Sequence, residues 1–297
     1  MSEHGSYVFQ HLHLHEICFS VHHLQTPQIL PYLYPNAYTG ILDSPPLTVD
    51  GNGCQFQSCP PYSSSTGSNS SNPRLNYVNS FPVTSMKYGA WTLAPKFFDG
   101  KVPDFVVSGP NVGGNKGLVN FISGTVSAAS RAVDEFGIPS IAFSGASGDG
   151  NRKPWNVSPV PDYALIYADL VVNLTTAVLA SGTPYLPRNT FLNVNFPAAG
   201  AGTECTSASQ FKWVLSRIYP YVPILMDHDV ETCGRRVLPT ESDVVGARGC
   251  YASVSVGKAS NKKDGSAAME AIVLEKLGGL LSCLPAGADT DSDADDD

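Results

Sequence analysis

The residues best suited to chemistry are concentrated in one short stretch, 108–125. Between 108 and 120 the chain has three asparagines and four glycines. Asparagine offers neutral amide oxygens and nitrogens, and glycine lets the backbone approach a ligand closely. Ser123-Gly124-Thr125 then opens a predicted helix, where backbone N–H groups and hydroxyls can hold an anion such as phosphate. This combination predicts a site for a phosphate-bearing ligand. The asparagines are Asn111, Asn115 and Asn120.

The elements around this stretch follow from hydrophobic periodicity. Residues 105–107 form a short apolar run typical of a buried parallel strand. A helix is predicted after Ser123 and ends at Gly137, and residues 138–143 are predicted to form the next parallel strand. Ligand sites in such sheets lie at the carboxyl edge, so Asn111 and Ser123 are expected in one concave pocket. The helical spacing is carried by Val126, Ala129, Val133 and Phe136.

Two motifs carry a family resemblance. Residues 103–115 read P-D-F-V-V-S-G-P-N-V-G-G-N, and residues 123–129 read S-G-T-V-S-A-A. In this order and at this separation they resemble the SurE (survival protein E) family of phosphatases and nucleotidases. The segments 74–85, 238–245 and 249–256 resemble the fungal branch of that family. The resemblance therefore covers roughly residues 54–285.

The resemblance implies a fold, an activity and a set of site residues. The implied fold class is α/β, with a Rossmann-like, mostly parallel sheet flanked by helices and a C-terminal hairpin/helix extension exchanged within a homodimer. The implied activity is metal-dependent hydrolysis of phosphomonoesters, including nucleoside monophosphates, with Mg²⁺ or Mn²⁺. Carried over residue by residue, Asn111 is a metal ligand. The implied phosphate contacts are Asn115, Ser123, Gly124 and Thr125.

The chain departs from the family pattern at the main metal ligands. SurE proteins open with a hydrophobic strand that ends in N-D-D-G, whereas this sequence has no adjacent aspartates before Asp295–Asp297. Asp43 and Asp50 are isolated, and the serine-rich run at 63–68 is interpreted as an insertion. One neutral asparagine oxygen cannot hold a divalent cation that prefers charged oxygen ligands. The sequence therefore predicts an impaired phosphatase, and identifies no catalytic residue. The alternatives are a non-catalytic relative that binds phosphate-bearing ligands, and an incomplete gene product.

The first fifty residues are unusual in composition. They hold six of the seven histidines, and H-L-H-L-H at 11–15 places three imidazoles on one face of a strand, where they could bind zinc. The alternatives are a poorly ordered or non-native extension, and a misread gene start that lost the first strand with its aspartates. A lost start also explains why no signal peptide is visible. These interpretations stay open at the level of sequence.

Composition indicates one domain with two extensions. We predict an atypical histidine- and proline-rich segment at 1–50, a SurE-like domain at 51–285 and an acidic tail at 286–297. The net charge is −8, and six aspartates of the tail account for most of it. Since no basic cluster and no unbroken apolar run of about twenty residues is present, neither a nucleic-acid polymer nor a membrane is expected as a partner.

Cysteines and glycosylation motifs favour a secreted protein. The chain has seven cysteines, and Asn-x-Ser/Thr motifs begin at Asn69, Asn156 and Asn173. At least one disulfide is predicted, with Cys54–Cys59 the first choice. The second choice is a pair among Cys205, Cys233 and Cys250, and the alternative is that all thiols are free.

The remaining elements are predicted from pattern alone. Helices are expected at 83–94, 163–180 and 266–283, and strands at 190–196 and 251–256. The aromatic-rich segment 211–222 is expected to form a hairpin or an extended arm.

Overall fold

The computed structural model describes residues 17–18, 48–54, 59–146 and 158–285. The histidines at 11–15, Asp43, Asn156 and the tail 286–297 lie outside these residues. The strands of the described part are β1 (Ile17–Cys18), β2 (Thr66–Ser68), β3 (Asn76–Val78), β4 (Phe105–Val112), β5 (Ser140–Gly145), β6 (Thr190–Phe196), β7 (Lys212–Ser216) and β8 (Tyr251–Lys258).

Its α-helices match most of the predicted ones in place, with shifted ends. They are α1 (Pro82–Tyr88), α2 (Val119–Ile122), α3 (Gly124–Phe136), α4 (Asp162–Ala180), α5 (Glu241–Gly246) and α6 (Ala267–Leu277). A π-helical turn (Gly89–Leu93) and a 3-10 turn (Ala94–Lys96) follow α1, and a second 3-10 turn covers Ala208–Gln210. The helix predicted for 83–94 is thus α-helical only in its first half.

One six-stranded sheet organises the molecule, in the order β1-β4-β5-β6-β8-β7. All neighbours are parallel except β6 and β8, which are antiparallel. A separate two-stranded ribbon joins β2 and β3. With helices packed on both faces, this confirms the predicted α/β class with a mostly parallel sheet.

The two faces of the sheet differ in chemistry, because alternate residues of a strand point to opposite faces. One face is apolar across its width and packs against α4 and α6, with the side chains of Phe143, Val194 and Val254 fully buried. The other face packs against α1, α3 and α5. On this second face one row of residues in register across the sheet is polar except for Ala142 of β5: Ser108, Ala142, Asn193, Ser255 and Ser216.

Helix α4 belongs to the apolar face. By length and composition alone it could cross a membrane, although it includes two aspartates, Asp162 and Asp169. Its side chains Leu170 and Leu174 are fully buried in the core against the sheet. Such burial is what a core helix of an α/β domain requires.

Two C-terminal expectations need correction. Segment 211–222 does not form a hairpin: Lys212–Ser216 is strand β7, which pairs parallel to β8. Trp213 and Leu215 bury into the apolar core, so the alternation reflects a sheet strand. The helix predicted for 266–283 ends at Leu277, followed by two glycines.

The disulfide prediction is confirmed and extended. Cys54 bonds Cys59, and Cys205 bonds Cys250. The third bond, Cys233–Cys283, was not predicted. It joins the segment that follows β7 to the residues that follow α6. The Cys205–Cys250 bond joins the segment before β7 to the start of β8, so two disulfides cross-link the C-terminal part of the described chain.

Candidate functional site

The site is built around a bulge in β4. The register between β4 and β5 shifts between Ser108 and Asn111. Gly109 has φ of +106°, and a Cβ there would collide with the carbonyl oxygen of Phe143. Only glycine suits this backbone. The bulge brings Asn111 opposite Ser144 at the carboxyl end of the sheet.

Asn111 is the predicted metal ligand, and it lies half-buried where β4 ends. Its amide nitrogen donates to the carbonyl oxygen of Gly113 at 2.8 Å. Within the part of the chain that the structure describes, no group of three or more His, Cys, Asp or Glu side chains could hold a metal ion. Asn111 and the other described residues therefore do not by themselves form a site for a divalent cation, because such ions select charged oxygen ligands.

After β4 the chain forms the site loop, residues 113–118, which Asn115 anchors to the sheet. The Asn115 backbone N–H donates to Asn195 Oδ1 at 2.8 Å, and its side-chain nitrogen donates to Ser144 Oγ at 2.6 Å. Its carbonyl oxygen accepts from the amides of Asn193 and Asn195, at 2.9 and 3.1 Å. Asn115 is only 5% exposed. The structure thus shows it as the residue that fastens the loop, and its contact with phosphate stays a prediction.

The other predicted phosphate residues lie at the start of α3. Ser123 is the N-cap, and its hydroxyl accepts from the Val126 N–H at 3.1 Å. A Cβ at Gly124 would lie 2.6 Å from Pro82, so glycine is needed there for close packing of α1 on α3. The Thr125 carbonyl oxygen accepts from the Ser108 hydroxyl at 2.9 Å. The predicted cap is confirmed, while a phosphate contact and a shared pocket with Asn111 stay predictions.

A buried lysine, Lys262, makes hydrogen bonds that hold the chain between α2 and α3 in place. Lys262 Nζ donates to the carbonyl oxygen of Phe121 at 3.1 Å and to Ser127 Oγ at 2.6 Å. The Ser127 hydroxyl in turn donates to the Ser123 carbonyl oxygen at 2.6 Å. Burial lowers the pKa of Lys262 to about 8, and the nearby Arg131 charge adds to the lowering. The lysine thus fixes the turn between α2 and α3.

Sequence reasoning missed the deepest polar group of the site, Glu241. This side chain has no exposed surface and accepts from Asn193 Nδ2 at 2.6 Å, the Gly117 N–H at 3.2 Å and Asn120 Nδ2 at 3.4 Å. Burial raises the pKa of Glu241 to about 8, against the lowering effect of these donors. The Ser255 hydroxyl is a further partner.

Signals for the missed residues exist in the sequence. Strand β6 reads T-F-L-N-V-N-F, so Asn193 and Asn195 share one face of an otherwise apolar strand. Buried polar side chains need partners, and two of them on one face indicate a polar network. Glu241 follows Thr240 in a T-x-x-D capping box, which identifies a helix start but not its partner across the sheet.

Comparisons with known proteins point to one family. The family model "Survival protein SurE" matches residues 50–215. An acid phosphatase of Yarrowia lipolytica is 29% identical over 282 residues, covering 86% of this chain and 77% of that protein. The 5'-nucleotidase SurE of Geobacter sulfurreducens is 39% identical over 120 residues, which are 40% of this chain and 38% of that protein. The solved structure of the SurE protein from Aquifex aeolicus matches 68% of this chain and 77% of that chain, at 23% identity and a TM-score of 0.44.

Proposed function

This chain belongs to the SurE family, and from that premise we propose that it is a phosphomonoester hydrolase whose turnover is impaired. Named relatives that are an acid phosphatase and a 5'-nucleotidase support the activity class. The proposed substrates are phosphomonoesters, nucleoside monophosphates among them.

One observation carries the proposal: the site loop and the start of α3 both contact the polar row of the sheet, through Asn193 and Ser108. Asn115 holds the first and Ser123 caps the second. A helix start with a capping serine favours an anion, because its N–H groups carry partial positive charge. We propose that Asn115, Ser123, Gly124 and Thr125 contact the phosphate, while the buried asparagines of β6 keep the loop in place.

The proposed impairment follows from the metal ligands. The SurE family is metal-dependent, and the ion, Mg²⁺ or Mn²⁺ by the resemblance, would polarise the phosphoryl oxygens. Asn111 is the residue proposed to contact it here. The sequence has no aspartate pair before Asp295, and the described residues supply no cluster of ligands. We therefore expect weak metal binding and weak turnover.

The test is hydrolysis of a nucleoside monophosphate by this chain, with Mn²⁺ or Mg²⁺ and with a chelator, beside Asn111→Ala. We expect little or no metal-stimulated phosphate release. A fusion that supplies an N-terminal strand ending in Asn-Asp-Asp-Gly should restore it. Robust turnover by the unmodified chain that Asn111→Ala abolishes would show that other ligands complete the site, and would contradict the impairment.

A second candidate function is non-catalytic binding of phosphate-bearing ligands. It is favoured by the same observation that weakens catalysis, namely that the described residues hold no metal-binding cluster. Calorimetric titration with a nucleoside monophosphate distinguishes the two. Binding without metal-stimulated turnover supports this candidate, and turnover excludes it.

We also propose that the protein is secreted and glycosylated. Three disulfides are consistent with an oxidising compartment. Asn173 is exposed but lies within α4, whereas Asn69 lies in a turn where its Oδ1 accepts from the Ser71 N–H. A mobility shift on glycosidase treatment that Asn69→Gln removes would identify the loop site. No shift in a secreting host would contradict glycosylation.

A homodimer formed through the C-terminal region is a further proposal. After β7 the chain exposes Ile224 and Leu225, at 101% and 80%. The Cys233–Cys283 bond attaches the end of this segment to its own chain. Only the residues around Ile224 and Leu225 can therefore be exchanged between the two subunits. Light scattering of the native chain and of Ile224→Asp tests this. A monomeric native chain would contradict it.

A further inference from the structure

We propose that Glu241 is a positioning residue for the site loop: its carboxyl group joins strand β6 to the far end of that loop. The consequence for substrate rests on the proposed function. The anchoring itself is a property of this chain, and can be measured without turnover. Glu241 is not proposed to touch substrate, since its side chain is fully buried.

The contacts of Glu241 reach three separate segments. Oε1 accepts from Asn193 Nδ2, on β6, at 2.6 Å. Oε2 accepts from the Gly117 N–H of the site loop and from Asn120 Nδ2 of α2, at 3.2 and 3.4 Å. The same Asn193 nitrogen also donates to the Asn115 carbonyl oxygen at 2.9 Å. One carboxyl and one amide therefore hold both halves of the site loop against the sheet.

The local sequence fixes where this carboxyl points. Glu241 is the first residue of α5, after the N-cap Thr240. Thr240 and Asp243 form a capping box, in which the Thr240 hydroxyl accepts from the Asp243 N–H and Asp243 accepts from the Thr240 N–H. The Glu241 N–H donates to the Arg217 carbonyl oxygen at 2.9 Å, which ties α5 to the end of β7. These contacts fix the backbone of Glu241, and with it the point from which the side chain leaves α5.

The network is compatible with a protonated carboxyl group. Asn120 Oδ1 and Asn193 Oδ1 are buried acceptors with no partner among the described residues. Turning the Asn120 amide exchanges its nitrogen and oxygen, and the oxygen then faces Glu241 Oε2 across 3.4 Å. A protonated Glu241 would donate to that oxygen, and the Asn120 nitrogen would then occupy the position that has no partner among the described residues.

The surrounding charges favour the same protonated form. Burial raises the pKa of Glu241 to about 8, and the negative charge of Asp264 adds to the rise. Tyr219, on the segment after β7, is the other titratable group that interacts with Glu241, and its own pKa is raised above its usual range. Asp243, on the helix of Glu241 itself, is engaged by the capping box. The anchor is therefore expected to hold best below about pH 4.5 and to weaken as pH rises to about 8.

Glu270 offers a matched control. It is also a buried glutamate, 1% exposed, with a carboxylate that accepts from the Val230 N–H at 2.8 Å. It lies on α6, which packs with α4 on the apolar face of the sheet. Removing the Glu270 carboxylate should lower the free energy of unfolding without changing the hydrogen bonds of the site loop. Comparing Glu241→Ala with Glu270→Ala therefore separates positioning from general destabilisation.

The primary measurement is amide hydrogen exchange of residues 113–120 in the full chain. We expect Glu241→Ala to speed exchange there at least about tenfold beyond Glu270→Ala, because the loop opens locally. Glu241→Gln should retain protection, and it should lack the loosening of the site loop that the native chain is expected to show as pH rises from about 4.5 to about 8. Should Glu241→Ala fail to fold, Glu241→Asp, one methylene shorter, takes its place with the same expectation. Equal exchange in the Glu241 and Glu270 variants would overturn the proposal.

Hydrolysis of p-nitrophenyl phosphate supplies the second measurement. Where the native chain turns over, kcat/KM should fall about 100-fold in Glu241→Ala, since misplacing a contact by about 1 Å can cost this much. Glu241→Gln should restore most of it, and Glu270→Ala should match the native chain per folded molecule. Where the native chain shows no turnover, which is the outcome that the proposed impairment expects, hydrogen exchange alone decides the role of Glu241.

Discussion

The two faces of the central sheet are built from the same strands, but one face is packed by apolar side chains and the other is held by hydrogen bonds. On one face, Phe143, Val194 and Val254 contribute to a continuous apolar core beneath α4 and α6. On the other, Asn193 and Asn195 of β6 are as deeply buried, yet they bond the site loop. Dispersion and the hydrophobic effect tolerate small shifts, whereas hydrogen bonds demand fixed partners. The apolar face therefore contributes mainly to the stability of the fold, whereas the buried polar side chains of the other face fix the position of the site loop.

The largest expected effect is on the apolar face. Phe143→Ala removes a fully buried ring that lies 5.9 Å, centroid to centroid, from the Phe196 ring. We expect the free energy of unfolding to fall by about 3–5 kcal/mol, from lost transfer energy and a cavity. Denaturant unfolding measures it. The site loop should exchange no faster than the lower global stability requires, and selective loosening of residues 113–118 would break the distinction between the faces.

A smaller stability effect with a larger effect on the loop is expected from Asn193→Ala. The substitution takes the shortest donor from Glu241 and one of two side-chain donors from the Asn115 carbonyl oxygen. The cost should be about 1–3 kcal/mol, typical of leaving a buried polar group without its partner. Exchange of the Asn115 and Gly117 amides should rise more than in Phe143→Ala. The reverse order would mean that the loop is held by packing.

The pH dependence of stability also distinguishes the two faces, because among the described residues each face has one buried glutamate. Burial raises the pKa of Glu241 to about 8 and of Glu270 to about 7, from 4.5 for an exposed glutamate. The folded chain then keeps protons that the unfolded chain releases, so both contributions are fully present below pH 4.5 and decline as pH rises. The slope is at most about 1.4 kcal/mol per pH unit and per group.

Thermal or denaturant unfolding across pH 4.5–9 tests this. Glu270→Gln should remove the part of the decline that ends near pH 7, and Glu241→Gln the part that extends to about pH 8. If neither variant changes the slope, both carboxyl groups are ionised in the folded chain, and the protonated form of the Glu241 anchor is wrong.

The smallest expected effect is at the outer surface of α3, which gives a baseline for both faces. Arg131 pairs with Glu135 at 3.0 Å, and both side chains are nearly one third exposed. Arg131→Ala should change stability by no more than about 0.5 kcal/mol, since partly exposed i,i+4 pairs contribute little. A loss comparable to that of Asn193→Ala would show that α3 contributes to the polar face through charge.

How much was predictable differs between elements. Strand β6 is predicted with its observed bounds, and the cap of α3 at Ser123 is confirmed, because both depend on patterns within a few residues. The Cys54–Cys59 bond was predicted because the two cysteines are close in the chain. The register that places Asn111 opposite Ser144 was not predicted. It depends on a bulge at Gly109, where a side chain would collide with the backbone of the neighbouring strand β5.

Local patterns in the chain were enough to predict the fold class, the family and the segment where the chemistry is expected, 103–144. Periodicity, caps and two ordered motifs are local properties, and they survive in the sequence alone. By contrast, three features became visible only in the folded chain: segment 212–216 is a sheet strand, Cys233 bonds Cys283 and Glu241 reaches Gly117. Each of these joins residues that are distant in the chain, Glu241 and Gly117 by 124 positions. Such contacts follow from how the strands are ordered in the sheet, which no local pattern encodes.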